Sequence, residues 1–116
     1  MPELGLVVIR VSDLEASRRW YERIGFEFYE EQHGDGPVHY AAVQSGFVFE
    51  LYPQLTPNPV SSGIRLGFYV HDVHAIVEAN MAPESVVVKP NAAFGRLGAV
   101  LMDPDGIKVE INESQA

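Results

Sequence analysis

The feature that most constrains this chain is that it repeats itself. The stretch Leu6-Val7-Val8-Ile9-Arg10-Val11-Ser12-Asp13-Leu14 has the form of Arg65-Leu66-Gly67-Phe68-Tyr69-Val70-His71-Asp72-Val73: an apolar strand running into Val-x-Asp and another apolar residue. Val11 and Val70, like Asp13 and Asp72, stand 59 positions apart, and Phe49-Glu50-Leu51 matches Val109-Glu110-Ile111 at an offset of 60. Two motifs displaced by nearly the same amount imply two structurally equivalent halves of about 50 residues each, and such a repeat sets the architecture before any local reading does. A chain of 116 residues holding two such halves is the size of one domain.

The halves are expected over residues 4–53 and 64–113, within a single domain spanning 1–116. The segment 54–63 joins them, because Pro53, Pro57, Pro59 and Gly63 sustain neither a helix nor a central strand. Each half reads as strand, helix and three strands. In the first, Leu4 to Val11 is an apolar strand. Ser12-Asp13 with Glu15 forms a helix cap, and Leu14, Ser17, Tyr21 and Ile24 recur at helical spacing until Gly25. Phe26 to Gln32, Val38 to Gln44 and Phe47 to Tyr52 follow as strands, the last two joined by a tight turn at Ser45-Gly46. In the second half the spacing predicts strand Ile64 to Val70, a helix from about Asp72 to Met81, and strands Ser85 to Lys89 and Gly98 to Met102. Asp103-Pro104-Asp105-Gly106 then turns the chain into strand Ile107 to Asn112.

Charge excludes several partners. With 16 acidic and 8 basic side chains the net charge is −8, and no cluster of Lys and Arg is present, so neither nucleic acid nor an anionic membrane surface is an expected partner. No apolar run reaches the length of a membrane helix, and the start Met1-Pro2-Glu3-Leu4-Gly5 has neither the basic residues nor the apolar core of a signal peptide. The expected location is the cytoplasm. Zero cysteines exclude disulfides, thiolate metal sites and a cysteine nucleophile.

Val11-Ser12-Asp13-Leu14-Glu15-Ala16-Ser17, Trp20-Tyr21-Glu22-Arg23-Ile24-Gly25-Phe26 and Asp103-Pro104-Asp105-Gly106 with Val109-Glu110-Ile111 resemble the signatures of the vicinal oxygen chelate superfamily of glyoxalase I, extradiol dioxygenases and bleomycin resistance proteins. The resemblance implies an α+β fold of two βαβββ modules forming a cup-shaped mixed sheet, often in a homodimer. It also implies that metal-dependent members take ligands from the equivalents of positions 6, 50, 65 and 110. Glu50 and Glu110 keep a carboxylate there, but Leu6 cannot ligate and Arg65 repels a cation. An extradiol iron site, which resembles two histidines and a carboxylate, lacks both histidines.

Alternation along the strands fixes which residues share a face. With Val7, Ile9 and Val11 under the helix, Leu6, Val8 and Arg10 face the cup, as do Arg65, Gly67 and Tyr69. Phe47, Phe49 and Leu51 go to the core and leave Val48, Glu50 and Tyr52 on the open side, and Ile107, Val109 and Ile111 likewise leave Lys108, Glu110 and Asn112. A two-residue turn at Ser45-Gly46 pairs Ala41 with Glu50 and His39 with Tyr52, so His39 also points inward. The candidate ligand-binding residues are therefore Glu50, Arg65, Glu110, His39, Tyr52 and Tyr69, with Phe94 and Arg96 on the segment Pro90 to Arg96 where relatives carry a loop over the cup. Two carboxylates in one cavity repel each other, and Arg65 is expected to compensate by pairing with Glu50, Glu110 or both. Plain packing roles stand beside these: a structural salt bridge for Arg65, a hydrogen bond between His39 and Tyr52, tyrosines that fill the cup, and an ordinary connector at 90–96.

Three functions stay open. One is a protein that binds a small molecule in a metal-free cup, without any cofactor. The alternative is a lyase or isomerase of the glyoxalase type, in which Glu50 or Glu110 removes a proton next to a carbonyl. Its electrophile is Arg65, or a divalent metal (nickel, zinc or manganese) held by Glu50, Glu110 and His39. The third is a module without a ligand, whose cup is filled by its own side chains.

Overall fold

Both helices begin at the aspartate that the two halves share. Asp13 Oδ1 accepts the amide of Ala16 at 3.1 Å and Asp72 Oδ1 that of Ala75 at 3.0 Å, so each carboxylate satisfies an amide that the first helical turn leaves without a partner. The computed structural model describes residues 1–55 and 59–114, with Phe94 in its backbone alone. Residues 56–58, in the expected linker, lie outside the described residues.

The first half comprises β1 (Leu6–Val11), α1 (Leu14–Glu22), β2 (Tyr29–Glu31), β3 (His39–Gln44) and β4 (Phe47–Pro53), in a sheet of order β1-β4-β3-β2. The second comprises β5 (Arg65–Val70), a helical turn α2 (Val73–Ala75) that widens into a π turn at Ile76–Asn80, then β6 (Val86–Asn91), β7 (Gly98–Met102) and β8 (Lys108–Glu113). Its sheet order is β5-β8-β7-β6. In each sheet the first strand runs parallel to the last and the other pairs are antiparallel. These are two βαβββ modules of an α+β fold. The chain divides into two compact units, one of Met1–Glu22 and Phe26–Ser61, the other of Arg23–Gly25 and Ser62–Ala116.

The repeat is in register. Leu6 lies opposite Val48 and Val8 opposite Glu50, while Arg65 lies opposite Lys108 and Gly67 opposite Glu110, the pairing that offsets of 59 and 60 require. Ile9, Val11, Phe49 and Leu51 are buried on one face, under Trp20 and Tyr21 of α1. Tyr21 meets Phe49 edge-on, ring centroids 5.0 Å apart. Burying each of these side chains contributes about 1.5–3 kcal/mol. Val70, Val109 and Ile111 form the equivalent buried column of the second module.

Two elements differ from the sequence reading. The strand expected over Phe26 to Gln32 is confined to Tyr29–Glu31, because Phe26 and Phe28 turn into the aromatic cluster around Phe49, 5.1 and 6.1 Å from its ring. The helix expected from Asp72 to Met81 is one α turn followed by the π turn, and ends at Asn80. Ser45 and Gly46 have φ of +32° and +80°, the left-handed pair that a two-residue hairpin demands. No helix of the described residues is long and apolar enough to cross a membrane.

The turn before β8 is held by one side chain. Asp103, almost fully buried, accepts the amides of Asp105 and Ile107 on Oδ1, each at 2.9 Å. Asp103→Ala leaves a buried amide unpaired and is expected to cost about 2–3 kcal/mol, read as a lower urea midpoint at unchanged slope. Asp13→Ala, which removes an exposed cap, is expected to cost about 1 kcal/mol in the same assay.

Candidate functional site

In the second module the open face of β5, β7 and β8 carries a cleft of ≈ 270 Å³ lined by Arg65, Glu110, Asn112, Asn91, Arg96 and Val100, among others. Arg65 Nε donates to Glu110 Oε2 at 2.7 Å. The two side chains are 52% and 40% exposed, so the pair borders the cleft and does not seal it. Of the five N–H donors that a guanidinium carries, this contact uses the one on Nε. Among the described residues the terminal nitrogens make no hydrogen bond.

Gly98, at the edge of the cleft, makes room for the Asn112 side chain. It stands opposite Asn112, and a Cβ there would run into the Asn112 carboxamide. Its counterpart in the first module is His39, whose ring stacks on that of Tyr52. Arg96 extends over the Tyr69 ring, 5.0 Å from guanidinium carbon to centroid. Tyr69 itself is 71% exposed and does not line the cleft. The segment expected as a loop over the opening starts as the end of β6 and continues into a 3-10 turn at Ala93–Gly95. There Asn91 Oδ1 accepts the amide of Ala93 at 3.0 Å. The Phe94 side chain lies outside the described residues.

The first module is built on the same frame with other residues. Arg10, Tyr52, His39 and Glu31 form one row across β1, β4, β3 and β2: Arg10 pairs with Tyr52 and Glu31 with His39, and Tyr52 and His39 stack face to face at 4.1 Å. His39 therefore stacks on Tyr52 and does not take the expected hydrogen bond. Instead its Nδ1 lies 3.2 Å from the Pro37 carbonyl and its Nε2 3.2 Å from Glu31 Oε1. Glu50 Oε2 is 3.9 Å from the same Nε2, and Ala41 pairs with Glu50. Glu31 had no place in the sequence reading. Its signal was the hairpin register, which the seven residues between β2 and β3 hide from any count along the chain.

The residues at the four positions that the resemblance implies do not fit a divalent metal. Leu6 supplies no donor atom, Arg65 supplies a fixed positive charge, and Glu110 already holds that charge. Glu50 alone stands as an uncommitted donor, with His39 beside it.

A family model described as the Glyoxalase/Bleomycin resistance protein/Dioxygenase superfamily matches residues 3–111. The chain belongs to this superfamily. Among solved structures it is similar to TnmS3, an antibiotic binding protein from Streptomyces sp. CB03234, at 23% identity over 99% of this chain and 98% of that one, with a TM-score of 0.75. It is also similar to a glyoxalase/bleomycin resistance protein/dioxygenase family enzyme from Burkholderia phytofirmans PsJN, at 24% identity over 97% and 98%, TM-score 0.70. A third is the hypothetical protein SA1046 from S. aureus, at 21% identity over 98% of both chains, TM-score 0.72. At such identities the likeness establishes the fold. No curated protein matches the sequence.

Burial, and then the negative charges of Glu50 and Glu31, push the Tyr52 phenol above the ordinary tyrosine range. The folded state thus keeps this proton longer than the unfolded chain does, and stability from this group is lost as pH rises past about 10. An absorbance titration of tyrosinate is expected to show a late component that Tyr52→Phe removes.

Proposed function

We propose that this protein binds a small organic molecule in the cleft of its second module, without a metal ion, through an oxygen of the ligand held by Arg65. The observation that supports this is how the guanidinium is held: Glu110 takes it by Nε at 2.7 Å, so the terminal N–H groups of this cleft-lining residue are not used by that contact. A guanidinium fixed in this way suits a carboxylate, enolate or carbonyl oxygen, which it bonds with two parallel N–H groups. Arg96 and Asn112 supply further donors around the same space. A protein of net charge −8 repels anions at long range, so the favoured ligand carries its oxygen on a neutral or cationic body. TnmS3, of the same fold, is an antibiotic binding protein, which supports a small organic ligand here. The reading includes a homodimer acting in the cytoplasm, supported by the family resemblance and open to sedimentation analysis.

The enzyme reading uses the same residues, with Glu110 as base and Arg65 as electrophile. The ion pair between them weighs against it, because the Glu110 carboxylate is already occupied by the guanidinium that would have to serve as the electrophile.

The test is a thermal-shift and calorimetric screen in EDTA with small carboxylates, enolisable ketones and bleomycin as probes. Arg65→Ala is expected to fold, since an exposed ion pair contributes at most about 1 kcal/mol, and to weaken every hit at least tenfold. Binding that survives Arg65→Ala, or turnover of a methylglyoxal–thiol adduct that starts only on adding nickel or zinc, would replace this reading with the lyase or isomerase.

A further inference from the structure

The first module holds a group of acceptors that the cleft of the second does not use. Glu31, His33 and His39 each offer a ligand atom, and these atoms lie within 4.8 Å of one another. Glu31 and His39 are cross-strand partners, and His33 follows Glu31 by two positions, just past the end of β2. His33 Nε2 is 3.7 Å from the same Glu31 oxygen that His39 Nε2 approaches at 3.2 Å. The two imidazole rings are 5.1 Å apart.

His39 shows what is needed between these atoms. Its side chain is 1% exposed, and its Nδ1 faces the Pro37 carbonyl at 3.2 Å. A carbonyl only accepts, so Nδ1 carries the ring proton, and in the neutral imidazole Nε2 presents a lone pair. That lone pair points at two carboxylates, Glu31 Oε1 at 3.2 Å and Glu50 Oε2 at 3.9 Å. Acceptor against acceptor at a fully buried imidazole is unfavourable unless a positive charge stands between them. A proton on Nε2 joins His39 to Glu31 and leaves His33 and Glu50 out. A divalent ion engages all four.

We propose that Glu31, His33 and His39 bind a divalent transition metal of the zinc class, with Glu50 at the fourth position directly or through water. Tetrahedral ligands at 2.0–2.1 Å from zinc stand about 3.3 Å apart, so the Glu31–His39 separation already fits. Closing the site falls to His33, an exposed side chain on the loop between β2 and β3. Two imidazoles with carboxylate select zinc, cobalt or nickel over magnesium and calcium. The Pro37 carbonyl plays the orienting part that a backbone acceptor commonly takes behind a metal-bound histidine. The site uses none of the residues of the second module, and it stands or falls independently of ligand binding there. The bound ion would tie the 32–38 loop to the sheet beside Glu50.

Untagged protein stripped with EDTA and desalted is titrated with cobalt(II) and read by the visible bands of tetrahedral cobalt, followed by displacement with zinc. One equivalent is expected to bind, with zinc displacing cobalt and raising the melting temperature. His33→Ala and Glu31→Gln, both on the module surface, are each expected to weaken cobalt at least tenfold and to abolish the zinc-induced shift, with an unchanged far-ultraviolet spectrum. Glu110→Gln is expected to bind cobalt as the unsubstituted protein does. Absence of the cobalt bands, or affinity lost in Glu110→Gln but kept in His33→Ala, would overturn the proposal: the first leaves a proton as the only cation at His39, the second moves the metal to the second module.

Discussion

Everything in each module follows from the parallel pairing of its first and last strands. β1 lies on β4 and β5 on β8, and because side chains alternate faces, a slip of one residue would carry the whole apolar set to the open side. Ile9 and Val11 with Phe49 and Leu51 lock that register in one module, and Val70 with Val109 and Ile111 in the other. Once it is locked, Glu50 and Glu110 have no choice of face. They must stand on the open side of their sheets, at equivalent points, as carboxylates that need a partner.

The two modules answer that need differently although the frame is the same. At the head of β5 stands Arg65, and Glu110 takes its guanidinium at 2.7 Å. The equivalent position on β1 is Leu6, which has nothing to offer Glu50, and it is His39 of β3 whose Nε2 stands 3.9 Å from that carboxylate. The difference carries on to the next strand. His39 fills the space over Tyr52 with its ring, whereas its counterpart Gly98 leaves that space to the Asn112 side chain and the cleft beyond. The duplicated frame thus carries a cleft bordered by an arginine–glutamate pair in the second module and a histidine–carboxylate group in the first.

Local signals accounted for much of this. The Val-x-Asp repeat marks both helix caps, and Ser45-Gly46 marks a turn whose left-handed backbone sets the β3–β4 register, hence the pairing of Ala41 with Glu50. Where a stretch had two uses, the local reading misled. Phe26 and Phe28 have strand propensity and alternate correctly, but the aromatic cluster around Phe49 takes them, because burying two large rings outweighs extending a short edge strand. Glu31 is the plainest omission. Nothing in its neighbours sets it apart from Glu27 or Glu30, and only the pairing of β2 with β3 brings it against His39.

The sequence by itself determined the duplication, the α+β class, the parity of β1, β4, β5 and β8, and the arginine that stands where the family's metal-dependent members place a ligand. These depend on period, offset and residue chemistry, all of which are written along the chain. The tertiary structure decided which carboxylate Arg65 takes, that His39 stacks on Tyr52 while its ring nitrogen faces Glu31, and that the glycine at position 98 makes room for the Asn112 side chain. Those outcomes depend on distances of a few ångströms between residues 8 to 45 positions apart, and at that range direction and packing decide between partners that the sequence alone leaves equivalent.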